Sequence, residues 1–89
     1  MRLSIFYPEL MRVLGDPEDV RVDGRTVGEC LDDLVRQHPD VKGLLFDSSG
    51  RLLKRVYVFV NAEAMRKADL AQPVSDKDTL IVAVLAAGG

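Results

Sequence analysis

Gly88 and Gly89 end the sequence, and a chain that ends on two glycines presents a carboxylate on a bare, unhindered stalk. With no Cβ, both residues reach backbone conformations closed to other residues and can thread a narrow channel. The carboxylate is a chemical handle. Its resonance-stabilised anion resists attack as it stands, but it becomes an acyl donor once a good leaving group is attached. Ala86 and Ala87 lengthen the stalk with little bulk, and Leu85 joins it to the preceding strand.

Few other residues offer chemistry. The 89-residue chain has one cysteine, Cys30, and one histidine, His38, which excludes an internal disulfide and any multi-cysteine zinc or iron–sulfur site. Cys30 falls on an apolar helical stripe and reads as a small buried hydrophobe, with a sulfur relay as the alternative. His38 sits where a helix should end and reads as a partner of the helix dipole or of water. Asp32-Asp33 and Asp76/Asp78 read as a solvated helix face and a turn, so no metal site is expected. Arg51, Lys54 and Arg55 form a small basic cluster that reads as a solvated edge.

The composition sets bounds on function. Twelve Lys and Arg against fourteen Asp and Glu give a formal charge of −2, with both signs scattered, so nothing resembles a nucleic-acid footprint. Ser4 and Pro8 interrupt the first apolar stretch, which leaves no secretory core segment. The longest apolar run, Leu80 to Ala87, is too short to cross a bilayer. We expect a soluble cytoplasmic protein that binds neither nucleic acid nor membrane. Its length suits one domain over residues 1–89, too small for a core plus an enclosed catalytic domain.

The elements that must position the tail follow from periodicity. Arg2 to Tyr7 alternates as a strand, Glu9 to Leu14 makes a short turn of helix, and Glu18 to Val22 reads as a second strand with Val20 and Val22 on one side. Thr26 and Glu29 fit a capping box, and Val27, Cys30, Leu31, Leu34 and Val35 then form one apolar stripe that Pro39 ends. Val41 to Phe46 adds a turn or two of helix before the Asp47-Ser48-Ser49-Gly50 turn. Val56 to Val60 is a β-branched and aromatic strand closing at Asn61. Ala62 to Pro73 is weakly patterned, and Thr79 to Val84 is the last strand. The economical solution is an α+β domain in which a four- to five-stranded mixed sheet packs on one main helix, with residues 85–89 projecting as a flexible tail.

The strands are too apolar for that sheet. Tyr57 and Phe59 alternate with valines, and Ile81 and Ala83 alternate with Leu80, Val82 and Val84, so both faces are apolar where one should be polar. Phe6 can extend the surplus face. Either the 62–73 segment covers it or it is exposed as a partner surface beside the tail. On the second reading Phe6, Tyr57, Phe59, Ile81, Ala83, Leu85, Ala86 and Ala87 bind the partner.

The run Thr26-Val27-Gly28-Glu29, the His38-Pro39 helix stop, the strand Val56 to Asn61, the Asp76-Lys77-Asp78 turn and the closing Gly88-Gly89 resemble the MoaD/ThiS family of ubiquitin-like sulfur carriers. The resemblance spans essentially the whole chain in order. It departs from the family's usual pattern at Ala62, Lys77 and Val84, where members often have glycine, glycine and a nearby proline. It implies a β-grasp fold, and a Gly89 carboxylate that an E1-like adenylating enzyme activates with ATP and magnesium and a sulfur donor protein or sulfide converts to a thiocarboxylate. The chain would then be a protein cosubstrate with no cofactor of its own, with Gly88 and Gly89 as its working end. The client implied is a synthase: the large subunit of molybdopterin synthase first, or a cysteine-synthase-like or thiazole-forming enzyme. Two other functions stay open, a ubiquitin-like modifier joined to lysines through Gly89 and a β-grasp interaction module without tail chemistry.

Overall fold

A computed structural model of the chain describes residues 1–15, 20–61 and 68–84. Three strands and three α-helices are defined among them: β1 (Arg2–Phe6), α1 (Pro8–Leu14), α2 (Val27–Gln37), α3 (Lys42–Leu45), β2 (Val56–Val60) and β3 (Thr79–Val84). A 3-10 turn over Pro39–Val41 links α2 to α3.

The first and last strands lie side by side. β3 is central, pairing parallel to β1 and antiparallel to β2. A parallel pair needs a long crossover, and here the whole chain between Phe6 and Thr79 supplies it, including α2. This is the mixed α+β sheet expected, and the bounds expected for β2 and β3 hold to the residue.

The expected strand at 18–22 is the exception. In the described residues it is a single antiparallel bridge, Arg2 opposite Arg21, flanked by Val22 N–H donating to Met1 C=O at 3.3 Å and the Met1 ammonium donating to Val22 C=O at 3.0 Å. Glu18 and Asp19 lie outside the described residues, so three strands are defined where four or five were expected. Val20 and Val22 do turn inward together and are both buried.

Alternation makes one sheet face apolar enough to hold a core. Leu3, Ile5, Val56, Val58, Val60, Leu80 and Val82 from the sheet join Val27, Cys30, Leu31 and Leu34 of α2 in one buried cluster. Tyr7, Leu10, Leu14, Val41 and Leu45 belong to the same cluster. Each fully buried aliphatic side chain contributes about 1.5–3 kcal/mol, offsetting the entropy of ordering the chain.

The start of α2 is fixed by its cap. Thr26 Oγ1 accepts from Glu29 N–H at 3.1 Å, and Glu29 Oε1 accepts from Arg25 N–H at 3.1 Å, one residue earlier than a standard capping box. The 70–74 strip crosses this end of the helix: Gly28 N–H donates to Leu70 C=O at 2.8 Å, Val27 N–H to Gln72 C=O and Val74 N–H to Arg25 C=O. A Cβ at Gly28 would sit 3.1 Å from that Leu70 oxygen. The glycine that costs helix propensity is therefore what lets the strip approach.

Candidate functional site

The register of the three strands assembles the surplus apolar residues. Phe6, Ala83 and Tyr57 are cross-strand partners in one row, and Ser4, Ile81 and Phe59 in the next. Directly opposed residues share a face of a sheet, so all five described residues expected to bind a partner lie on the face turned away from α2. Phe6 is 65% exposed, and Tyr57, Phe59, Ile81 and Ala83 are half-buried.

The described part of the 62–73 segment does not cover this face. Ala68 is buried in the core on the α2 side and its N–H donates to Val58 C=O along the edge of β2 at 2.7 Å, while Leu70 and Val74 pack against the same core. Ala62 to Lys67 lie outside the described residues. So do Leu85, Ala86, Ala87, Gly88 and Gly89. β3 ends at Val84, next to the Phe6–Ala83–Tyr57 row, so residues 85–89 continue from the most apolar end of the face.

A further row stands at the opposite end. Arg21, Arg2 and Thr79 follow one another across β1 and β3 through the Arg2–Arg21 bridge and the Arg2–Thr79 pairing. The sequence reading missed Arg21 as a surface feature, although inward-facing Val20 and Val22 imply that the residue between them faces outward. It also missed Met11 and Val13, exposed apolar residues of α1.

The remaining candidates take structural roles. Cys30 is fully buried, its Sγ 3.9 Å from Met1 Sδ, and burial pushes its thiol above the ordinary range. Asp33 accepts from Arg36, from Gln37 Nε2 and from Asp23 N–H, tying α2 to the segment before it. Asp32 is exposed, and no group of three or more possible metal ligands occurs among the described residues. Arg55 donates to Tyr7 Oη at 3.3 Å, and that hydroxyl donates to Leu44 C=O at 2.9 Å. His38 caps α2 through its own N–H, which donates to Leu34 C=O.

The end of β2 is locked to the start of β3. Asn61 adopts φ of 68°, a left-handed conformation that asparagine tolerates better than most residues. Its Oδ1 accepts from Thr79 N–H at 2.9 Å and its Nδ2 donates to Asp78 Oδ1 at 2.9 Å. Asp78 also accepts from Ser75 N–H, and these bonds, with Asn61 first, hold its carboxyl below the ordinary range.

Comparison with known proteins decides the family. SAMP1 from Haloferax volcanii is 32% identical and superposes with a TM-score of 0.79 over 98% of this chain and 96% of that one. The chain belongs to the MoaD/ThiS family of ubiquitin-like sulfur carriers. A chain of the Amycolatopsis orientalis BexX/CysO complex is 31% identical, with a TM-score of 0.77 over 98% of this chain and 99% of that one. CysO from Mycobacterium tuberculosis is 26% identical, with a TM-score of 0.75 over 94% and 99%. No protein-family model and no curated protein matches the chain. As a member of the family the domain is a ubiquitin-like β-grasp, and its relatives are small carriers and modifiers.

Proposed function

We propose that the chain carries sulfur as a thiocarboxylate on Gly89 and that the outer face of its sheet is the surface an adenylating enzyme grips. The observation behind this reading is the register that gathers Phe6, Tyr57, Phe59, Ile81 and Ala83 on one face of the sheet, turned away from α2 and beside the end of β3 from which residues 85–89 continue. An apolar patch next to a reactive terminus couples recognition to delivery: docking of the face spends binding energy that holds the tail in the partner's channel.

A Gly89 carboxylate oxygen attacks the α-phosphorus of ATP, pyrophosphate leaves, and the carbonyl becomes an acyl-adenylate. Sulfide, or the terminal persulfide sulfur of a donor protein, then attacks that carbonyl and the C–O bond to AMP breaks. Sulfide gives the thiocarboxylate directly, whereas a persulfide gives an acyl disulfide whose S–S bond a second thiol of the donor cleaves, leaving a disulfide on the donor and releasing the thiocarboxylate. Gly88 and Gly89 leave the carbonyl open to both reactants because neither carries a Cβ. ATP, magnesium and the catalytic groups belong to the partner, so the chain acts as a cosubstrate in the cytoplasm.

The client we favour is a molybdopterin-forming synthase, with cysteine- and thiazole-forming enzymes next. The 41–54 segment supports the first two: it builds α3 and the Phe46–Leu52 bridge and gives Val41 and Leu45 to the core, whereas thiamine-type carriers are shorter there. A second reading, a modifier conjugated to lysines through Gly89, is supported by the likeness to a protein named small archaeal modifier protein 1, at 33% identity. Incubation with cell extract, ATP and a sulfur donor separates the two. Mass spectrometry should show oxygen-for-sulfur exchange at Gly89; a branched isopeptide instead would favour the modifier, and a normal exchange in a chain lacking Gly89 would sink the carrier assignment. Co-purification of the untagged chain with a synthase would name the client.

A further inference from the structure

At the end of the outer face farthest from the tail, Arg2, Leu3, Ser4 and Arg21 line an open groove of about 400 Å³. Arg2 and Arg21 are direct cross-strand partners and both are exposed. Like charges in that position repel. Among the described residues neither guanidinium has an acidic partner, and the ion pair formed there is Arg36 with Asp33. We infer that Arg2 and Arg21 form a carboxylate-binding groove that receives an acidic segment of the protein docking on this face.

The arrangement specifies the ligand. A planar guanidinium fork matches a carboxylate with two parallel hydrogen bonds, and a bound anion relieves the repulsion between the two cations. Ser4 adds a hydroxyl, and the next position across from it is the apolar pair Ile81 and Phe59. The chain's net charge of −2 disfavours a nucleic-acid backbone, which needs a broad cationic surface. From Thr79 to Ala83 the strand covers roughly 13 Å at about 3.3 Å per residue, so the partner must present carboxylates that far from where it grips the apolar row. The face thus has two parts, an apolar end beside the tail and a cationic end that fixes orientation. Identification of the partner as the activating enzyme rests on the proposed function; the groove's affinity for carboxylates does not.

The test is an amide NMR titration of the full chain with a blocked penta-glutamate peptide. Shifts should concentrate at Arg2, Leu3, Ser4 and Arg21 and fade between about 0.05 M and about 0.5 M salt. Combined Arg2→Glu and Arg21→Glu should weaken binding at least ~10-fold, while Arg2→Lys with Arg21→Lys should retain it in weakened form. The dispersion of the other amides reports that each variant is folded. Shifts centred on Arg51, Lys54 and Arg55, indifference to the charge reversal, or tighter binding of inorganic phosphate or oligothymidylate at the same amides would overturn the inference. In extract, slower thiocarboxylation of the charge-reversed chain than of the unaltered one supports the activating enzyme as partner, and equal rates refute it. Absence of exchange in the unaltered chain would count against the carrier function, and the titration would still decide the groove.

Discussion

A Cβ placed on Gly24 would lie 2.6 Å from the Cys30 backbone nitrogen and 2.8 Å from the Glu29 carbonyl carbon, closer than atoms in the first turn of α2 can yield. Gly24→Ala should therefore destabilise the fold by about 1–3 kcal/mol, the usual cost of overpacking, as read by urea denaturation. Cys30 makes the opposite kind of statement. Its thiol is buried and its pKa raised, so it stays protonated and shielded at neutral pH. Alkylation of the native chain should be slow and should accelerate on unfolding, and Cys30→Ser should leave thiocarboxylate formation intact. Asp78 contributes one component of the pH dependence. Its carboxyl titrates lower in the folded chain than in the unfolded one, so the unfolded state binds the proton first. The stability it contributes is fully present above the ordinary carboxylate range and is lost as pH falls through its lowered value. Acid denaturation of Asp78→Asn should lack that component. The burial of Cys30 was legible from its place on the apolar stripe of α2. The crowding at Gly24 was not, because it depends on how the chain enters α2, nor was the Asn61–Asp78 lock, which joins two strand ends distant along the chain.

Elements were more legible than contacts, for reasons that differ from one to the next. β2 and β3 were readable because valines alternate with aromatic, aliphatic or small apolar groups and a polar stretch precedes each run, Lys54-Arg55 before β2 and Ser75 to Asp78 before β3. α2 was readable because its cap is local: Thr26 and Glu29 are three residues apart and their bond forms whatever the rest of the chain does. Thr26→Ala should cost about 1 kcal/mol, and Leu34→Ala, which empties a fully buried site on the same helix, about 2–5 kcal/mol; thermal unfolding measures both. The 18–22 segment was readable only in part. Its inward valines show alternation, but the described pairing is one bridge, and ladder length is set by β1's course, which no local pattern encodes. The strip at Leu70 was not legible, since its hydrogen bonds go to the α2 terminus, and the close approach of the Leu70 carbonyl to Gly28 has no local sequence signal.

For the whole molecule, an apolar surplus in two strands raised two readings, a face covered by the 62–73 segment or a partner surface, and the register put every described member of that set on one side. The Arg2–Arg21 pair on the same side stayed hidden because it needs the pairing of β1 with a segment that follows α1. The face and the fold should be separable by substitution. Phe6 is exposed and Phe59 and Ile81 are half-buried, so Phe6→Ser should change stability by less than about 0.5 kcal/mol yet slow activation of Gly89. Phe59→Glu should abolish activation in a chain that still unfolds cooperatively. The measurement that tests the carrier assignment most directly is intact-mass analysis of the chain after incubation with its adenylating enzyme, ATP and a sulfur donor. The account expects exchange of one oxygen for sulfur, located to Gly89 and absent when Gly89 is deleted. A chain recovered unchanged, or one modified identically without Gly89, would contradict it.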